Sequence, residues 1–229
     1  MNKKYELLLF DLDNTLLDFE IDQKKALKYV LESIGYTFNN DILEEYKKID
    51  TIVWNELEQG KIKTVAELFE KRGKMILKKC NITENTKHFN KLLDEGYQKG
   101  GTAFETAEEI LKSCSDKCKI GIVTNGPKNQ QYPRLKHTGL DKYMSYIFVS
   151  EEIGYNKPDI NFFNYVFNHI DETDKTKILV IGDSLTSDIQ GGINANLDTC
   201  WFNRKNKSNN TQITANYEIR NLEELINII

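Results

Sequence analysis

Seven polar residues of this 229-residue sequence follow apolar runs closely enough to form one reactive site. In chain order they are Asp11, Asp13, Thr124, Asn125, Lys157, Asp183 and Asp188. Carboxylates packed together repel one another unless some are protonated or a cation lies among them. An all-oxygen ligand set with open positions suits a hard cation such as Mg²⁺. Because the cation and the lysine together would attract an anion, these residue types predict a phosphate site with bound Mg²⁺.

Each motif also has an ordinary structural interpretation. The Asp-Asn-Thr at 13–15 alone could form a turn or a helix cap. The Gly-Asp-Ser at 182–184 could simply begin a helix. Lys157 could be a loop lysine ahead of a helix that starts at the next proline. Four such motifs in order, each at the end of a predicted strand, favour a shared site over four separate coincidences.

The elements that must position these residues are short apolar runs separated by helical patterns. The runs are YELLLFD (5–11), KIGIVTN (119–125), YIFVS (146–150), KILVIGD (177–183) and DTCWFN (198–203). Continuous rather than alternating hydrophobicity is typical of strands covered on both faces in a parallel sheet. Helices are predicted near 105–113, 129–138, 159–170 and 185–195, with Pro133 in the first turn of its helix or at a kink. This alternation predicts an α/β fold with a Rossmann-like, doubly wound parallel sheet, whose ligands bind beyond the carboxyl ends of the strands.

A long helical segment separates the first strand from the second. We therefore predict a catalytic core made of residues 1–16 and 103–229, and an inserted α-helical cap made of residues 17–102. The expected cap helices are one at 22–34 that Gly35 ends, one from Asn40 to about Leu57, one opened by the capping box at 64–67, and one capped by Thr83. The two crossings between cap and core, near 16–19 and 99–103, are candidate hinges.

Composition excludes several classes of protein. The net charge of −4 provides no basic footprint for a nucleic-acid polymer. No apolar run approaches the length of a membrane span, and the start of the sequence is too polar for a signal peptide, so we expect a cytoplasmic monomer or homodimer. Cys114 and Cys118 lack a second pair of ligands at metal-binding spacing, so ordinary thiols are expected.

The four motifs in this order resemble those of the haloacid dehalogenase (HAD) superfamily. DLDNT (11–15) is similar to its first motif, IVTNG (122–126) to its second, NKPD (156–159) to its third and GDSLTSD (182–188) to its fourth. The resemblance covers the whole chain, including a helical insert after the first motif, as in members with a C1 cap.

The resemblance implies phosphate-ester hydrolysis through an aspartyl-phosphate. Asp11 would be the nucleophile and Asp13 the general acid/base. Thr124 would be a phosphate ligand, with Asn125 beside it, and Lys157 would steady both the nucleophile and the phosphate. Residues two apart on a strand share a face, so both carboxylates can reach one phosphoryl group. Because a departing alkoxide needs a proton and a halide does not, Asp13 favours a phosphatase or phosphomutase over a dehalogenase.

The resemblance also implies a Mg²⁺ cofactor. Asp183 would bind the ion together with Asp11 and the backbone carbonyl of Asp13. Asp188 would support this metal site, either directly or through a water molecule.

For the substrate, the sequence is most similar to the pyrimidine 5′-nucleotidase subgroup. That similarity implies nucleoside monophosphates such as dUMP, UMP or dTMP. The Gln59-Gly60-Lys61 turn could face the active site from the cap, and Phe19, Trp54 or Tyr155 could stack on a base. Trp54 could equally belong to the core of the cap.

The same residues are compatible with three other functions. A phosphatase for phosphoglycolate or a sugar phosphate would use the same core with a different cap pocket. A phosphomutase would retain its aspartyl-phosphate and return the phosphoryl group to the substrate. A non-catalytic sensor of a phosphorylated ligand would keep the fold, but binding alone does not require Asp13.

Overall fold

A parallel sheet lies at the centre of the computed structural model, which describes residues 4–229. Its strands are β1 (Leu7–Phe10), β2 (Lys119–Thr124), β3 (Tyr146–Val149), β4 (Ile178–Gly182), β5 (Asp198–Phe202) and β6 (Tyr217–Ile219). Their spatial order is β3-β2-β1-β4-β5-β6 and every neighbouring pair is parallel. The strand order reverses between β1 and β4, and such a switch point is where open α/β sheets bind ligands. The predicted α/β fold is confirmed.

The apolar run of β1 is continuous because both faces of the strand are covered. Leu8 and Phe10 belong to the hydrophobic cluster on one side of the sheet, and Leu7 and Leu9 belong to the cluster on the other side. Alternate residues of a strand point to opposite faces, so a central strand with helices on both sides needs apolar side chains throughout.

Four helices follow β1 and pack mainly on one another. They are α1 (Phe19–Ser33), α2 (Asn40–Glu58), α3 (Val65–Lys79) and α4 (Thr86–Gln98), and we call this unit the cap. Its interior includes Leu27 and Val30 of α1, Tyr46 of α2 and Phe89 of α4. The cap therefore has a hydrophobic core of its own, as its helical periodicity predicts.

The remaining helices flank the sheet. They are α5 (Ala107–Ser115), α6 (Lys128–Thr138), α7 (Ser150–Ile153), α8 (Ile160–Phe167) and α9 (Gln190–Asn194). A π-helical turn, Leu185–Ile189, precedes α9 and carries Asp188. Within the described residues, no helix combines the length and apolar character needed to cross a membrane, and no disulfide links the cysteines.

The two crossings between core and cap lie side by side. Leu17 forms an antiparallel bridge with Ala103, and the Asp18 N–H donates to the Thr102 carbonyl at 2.7 Å. Asn14 precedes them in the left-handed region at φ 62°, which asparagine tolerates better than most residues. The domain boundaries predicted at 16/17 and 102/103 fall in these segments and stay a prediction, as does hinge motion there.

Several local predictions were wrong in detail. Asn39, not Asn40, caps α2, and Asn85, not Thr83, caps α4, because these are the residues whose side chains reach the first free N–H groups. Thr64 caps α3 as predicted, but the Glu67 carboxylate accepts from the preceding residue rather than from Thr64 itself.

Three further elements differ from the sequence-based expectation. Pro133 lies inside α6, beyond its first turn. The helix expected at 185–195 is divided into the π-helical turn and α9. Strand β6 was not predicted, because its three residues are too few to produce a hydrophobic pattern.

Candidate active site

Lys157 lies at the centre of the site, buried beneath the carboxyl ends of β1, β2 and β4. Its Nζ is 2.9 Å from an oxygen of Asp11 and 2.6 Å from an oxygen of Asp188. It also donates to the Val123 carbonyl at 2.6 Å. These three acceptors, one from each of three segments of the chain, hold the ammonium group in one position.

The charges of this cluster shift the protonation equilibria of its members. Burial raises the pKa of Asp11 well above its usual range; Lys157 opposes that rise, whereas Asp188 and Asp183 reinforce it. Burial alone would lower the pKa of Lys157, but Asp11 and Asp188 outweigh it, and the pKa is raised. Burial, followed by the charge of Asp188, raises the pKa of Asp183 to about 7. The site therefore holds more negative charge than Lys157 alone neutralises.

A divalent cation would fit this excess of negative charge. Asp11, Asp183 and Asp188 each offer one carboxylate oxygen, and these oxygens lie within 4.8 Å of one another. A Cβ at Gly182 would lie 2.2 Å from an oxygen of Asp188, so only glycine leaves room for that carboxylate. Asp188 also accepts from the Ser184 N–H at 3.1 Å. The three predicted metal-binding side chains are thus brought together and could hold a metal ion.

Asp13 lies beside this cluster and is held by helix α6. Gln131 Nε2 donates to Asp13 Oδ2 at 2.7 Å and to the Thr124 hydroxyl at 2.9 Å. Arg134 Nη1 lies 2.7 Å from Asp13 Oδ1, and the same guanidinium forms an ion pair with Asp22 of α1 at 2.9 Å. No motif in the sequence had pointed to Gln131, Arg134 or Asp22.

Thr124 and Asn125 end β2 but have different partners. The Thr124 oxygen accepts from Gln131 and from the Gly126 N–H, so its own proton remains available to a ligand. Asn125 uses both ends of its amide on the backbone of Lys157, donating to the carbonyl at 2.9 Å and accepting from the N–H at 2.8 Å. The Asn125 side chain therefore positions Lys157, and phosphate binding by Asn125 stays a prediction.

A cavity of about 400 Å³ opens between these strand ends and the cap. Asp11, Asp13, Thr124 and Lys157 line its floor on the core side. The cap contributes a lining of mixed character, which includes Phe19, Gln23, Asp50, Trp54, Phe69, Arg72 and Tyr97. This volume is typical of sites that enclose a small molecule.

The predicted cap residues differ in their relation to the cavity. Phe19 lines it and stacks on Tyr97, with 5.6 Å between ring centroids. Trp54 lines it as well, and also packs against a small cluster in the cap interior. Gln59, Lys61 and Tyr155 are exposed and lie outside its lining.

Glu58, at the end of α2, contacts the core from the tip of the cap. Its carboxylate accepts from the Thr186 hydroxyl at 2.7 Å, and it lines the cavity. The sequence is sufficient to predict the turn at 59–61. It does not show which neighbouring side chain faces the core, because that depends on the direction in which α2 ends.

The cap also contains a buried polar cluster that was not predicted from the sequence. Arg72 and Asp50 form an ion pair at 2.6 Å, and Gln23 donates to the other Asp50 oxygen at 3.0 Å. The Arg72 guanidinium lies 4.5 Å from the centre of the Phe69 ring. All four residues line the cavity, so a ligand held at the floor would meet charge, amide and aromatic groups above it.

Comparisons with known proteins agree on the family. A family model described as haloacid dehalogenase-like hydrolase matches residues 8–202. The chain is 38% identical to the HAD-hydrolase YfnB of Bacillus subtilis, over 99% of this chain and 96% of YfnB. It is 32% identical to the pyrimidine 5′-nucleotidase PynA of Streptococcus pneumoniae, over 98% and 95% of the two chains. It is 30% identical to the pyrimidine 5′-nucleotidase YjjG of Escherichia coli, over 97% and 96%.

Solved structures extend the same similarity to the fold. A crystal structure of B. subtilis YfnB, bound to magnesium, matches with a TM-score of 0.89 over 99% of each chain. The L-2-haloacid dehalogenase of Xanthobacter autotrophicus matches with a TM-score of 0.76 at 12% identity, and so shares the fold alone. The family match over most of the chain, together with these relatives, shows that the protein belongs to the haloacid dehalogenase-like hydrolases.

Proposed function

We propose that this chain hydrolyses phosphate monoesters through a phosphorylated Asp11. The observation that carries the proposal is the contact of buried Lys157 with Asp11 and Asp188, at 2.9 and 2.6 Å. A carboxylate attacks an anionic phosphate only if nearby positive charge offsets their repulsion, and this lysine is fixed where it would do so.

Two steps complete the reaction. In the first, a carboxylate oxygen of Asp11 bonds to phosphorus while the bond from phosphorus to the ester oxygen breaks. The electron pair leaves with that oxygen, which takes a proton from Asp13. In the second, water attacks phosphorus, Asp13 takes a proton from that water, and the bond to Asp11 breaks. Inorganic phosphate and the free Asp11 carboxylate result.

Asp11, Asp183 and Asp188 are the side chains that would hold Mg²⁺. When bound, the ion would supply additional positive charge to stabilise the transferring phosphoryl group. Their clustered carboxylates fit a hard cation. A charge of that size would offset the burial, and then the repulsion between carboxylates, that raise the pKa values of Asp11 and Asp183.

We expect Mg²⁺ binding to weaken as the pH falls below about 7. The pKa of Asp183 is raised to about 7, and a carboxylate must be deprotonated to bind a metal. Below that pH the ion must displace a proton, so the affinity should fall by up to about tenfold per pH unit. Calorimetric titrations at pH 6 and pH 8, each in two buffers of different ionisation enthalpy, measure both affinity and proton release. Equal affinity at both values, without proton release, would contradict this prediction. Asp183→Asn removes this titrating group and should show a weaker pH dependence, to which the raised pKa of Asp11 still contributes.

For the substrate, we propose pyrimidine nucleoside monophosphates such as UMP, dUMP and dTMP. Two relatives that are 30–32% identical over nearly the whole chain are named pyrimidine 5′-nucleotidases. The cavity supports the assignment because its floor carries the phosphate-reactive groups, whereas Trp54 and Phe69 could stack on a base from the cap. Arg72, Asp50 and Gln23 offer both donors and acceptors to a base edge.

A panel of phosphate esters tests the substrate class. We expect a higher kcat/KM for UMP, dUMP and dTMP than for phosphoglycolate or hexose phosphates, measured by Mg²⁺-dependent phosphate release. A preference for phosphoglycolate or a sugar phosphate would replace the nucleotidase assignment with that of a small-molecule phosphatase. Isomerised sugar phosphate without free phosphate would indicate a mutase, and no turnover of any ester would indicate a binding protein.

Replacing the cap ion pair should reduce selectivity for nucleotides. The double variant Asp50→Leu/Arg72→Met substitutes apolar side chains for a buried pair, a change that is often neutral for stability. Loss of a hydrogen bond to the base would cost about 1–3 kcal/mol. We therefore expect the ratio of kcat/KM for UMP over that for p-nitrophenyl phosphate to fall by about 5- to 150-fold. An unchanged ratio in a folded double variant would assign the pair to cap structure alone.

A further inference from the structure

A single buried arginine, Arg134, connects the proton-transfer group to the cap. Its side chain is 1% exposed, although it carries a full charge. Burial alone would lower its pKa, but Asp13 and Asp22 raise it above the ordinary value. An arginine is rarely buried without charged partners. The role of Arg134 is therefore to be sought in its contacts with Asp13 and Asp22.

On the core side, Arg134 fixes the carboxylate of Asp13. Its Nη1 lies 2.7 Å from Asp13 Oδ1 and donates to Gln131 Oε1 at 2.8 Å. A guanidinium can only donate, so this contact turns the Gln131 amide with its NH₂ toward Asp13 Oδ2 and the Thr124 hydroxyl. Asp13 Oδ1 is therefore in ion-pair contact with Arg134, without the geometry of a hydrogen bond, and Asp13 Oδ2 accepts from Gln131.

On the cap side, the same guanidinium contacts α1 and, through Asp22, the second crossing. Nε and Nη2 donate to Asp22 Oδ2 at 3.1 and 2.9 Å. Asp22 belongs to α1, directly after the first crossing, and its other oxygen accepts from the Thr102 hydroxyl on the second crossing at 2.8 Å. A Cβ at Gly101 would lie 2.7 Å from the Arg134 carbonyl, so the second crossing also packs directly on the backbone of α6.

Neutralising Asp22 would not require this arrangement. One arginine already balances the charge of one aspartate. Arg134, however, is shared between Asp22 and Asp13. A displacement of Asp22 therefore changes the contacts available to Asp13. The guanidinium of Arg134 contacts both Asp13 and Asp22. It is rigid and planar, so its donors have fixed relative directions. Geometry alone thus couples the two carboxylates.

We propose that Arg134 is a positioning residue that holds Asp13 for proton transfer and links it, through Asp22, to the segments that join cap and core. This inference rests on the proposed phosphatase chemistry but not on the nucleotide assignment. Asp13 supplies the proton that the ester oxygen needs on leaving. An alkoxide depends on that proton, whereas p-nitrophenolate leaves readily without one, so misplacement of Asp13 should slow the two kinds of ester unequally.

The test compares kcat/KM for an alkyl ester with kcat/KM for p-nitrophenyl phosphate. The alkyl ester is the one in the substrate panel that wild type hydrolyses fastest, and UMP stands for it below. Arg134→Met is expected to lower the UMP value by about 10²-fold or more and to lower the p-nitrophenyl phosphate value much less. Asp13→Asn provides the reference for complete loss of proton transfer. Asp22→Asn, which leaves Arg134 in place without its cap anchor, should shift the ratio in the same direction by a smaller factor.

Two variants separate positioning from structure. Arg134→Lys keeps the charge but cannot reach Asp13 and Asp22 together, so we expect only partial rescue of the UMP rate. Asp94→Asn weakens a different cap–core contact, in which Asp94 accepts from Gln130 at 2.7 Å and Asn129 at 2.6 Å, and should leave the ratio unchanged.

The outcomes distinguish this inference from the proposed function. If wild type hydrolyses neither ester, the proposed function fails. If wild type hydrolyses both, and Arg134→Met or Asp22→Asn changes the two rates by the same factor or not at all, positioning by Arg134 is refuted. Should Arg134→Met fail to fold, Arg134→Lys and Asp22→Asn give the same comparison.

Discussion

Asp11→Asn is expected to reduce phosphate release to the protein-free background while leaving the fold intact. Asparagine has nearly the same shape as aspartate but lacks the anionic oxygen that attacks phosphorus. Burial and neighbouring carboxylates raise the pKa of Asp11, so its charged form is disfavoured in the folded protein. A neutral side chain removes this penalty, and we therefore expect the variant without added metal to melt at an equal or higher temperature than wild type. The measurements are phosphate release from p-nitrophenyl phosphate and thermal unfolding.

Asp159→Asn is the matched control for this substitution. Asp159 is close in sequence to Lys157 and caps α8 by accepting from the Asn161 N–H at 2.8 Å, which an asparagine oxygen can also do. This variant should keep the wild-type rate. If Asp11→Asn hydrolysed the ester as fast as wild type, Asp11 could not be the nucleophile.

Lys157→Met should have the second large effect, on stability as well as on activity. Removing the cation leaves Asp11 and Asp188 buried without a positive partner, and breaking a buried pair in this way costs about 3–5 kcal/mol. For a chain of this size that corresponds to a fall in Tm of about 6–20 °C. We expect added Mg²⁺ to restore part of the lost stability, because the ion would neutralise the same carboxylates.

Lys119→Met tests whether such a loss is particular to the buried lysine. Lys119 pairs with Asp171 at the protein surface, where solvent screens the charges, so its replacement should change Tm little. Equal melting temperatures for Lys157→Met and wild type would show that the buried contacts of Lys157 contribute no net stability. Phosphate release measured on the same samples should fall for Lys157→Met only.

The residues at the strand ends could be predicted from the sequence because their signal lies in a few adjacent residues. An apolar run that stops at a carboxylate, as after Phe10 and after Gly182, marks the end of a buried strand and the reactive group together. The parallel sheet then places those ends at one edge, because β1 pairs in register with both β2 and β4. This is why Asp11, Thr124 and Asp183 could be grouped from the sequence. Lys157 lies beyond α7 rather than at a strand end, and the order of the motifs grouped it with them.

The groups that act on those residues carry no comparable local signal. Gln131 and Arg134 lie one turn apart on a helix, and polar residues with that spacing usually occupy a solvated face. Arg134 is nevertheless buried, because the second crossing and α1 cover that face of α6. The cap pair of Asp50 and Arg72 is similar, since both residues look like ordinary charged positions until α2 and α3 pack together.

The sequence by itself determined the α/β class, the helical insert and the polar side chains that meet at the strand ends, since each follows from hydrophobic periodicity or from a motif of a few adjacent residues. Only the tertiary structure decided what contacts those side chains. The contacts of Gln131 with Asp13 and of Arg134 with Asp22 span 118 and 112 residues of the chain. Likewise, the orientation of α2 decided that Glu58, and not Gln59 or Lys61, lines the cavity. Periodicity shows which face of an element is buried, but the partner that covers the face is fixed only when distant segments pack.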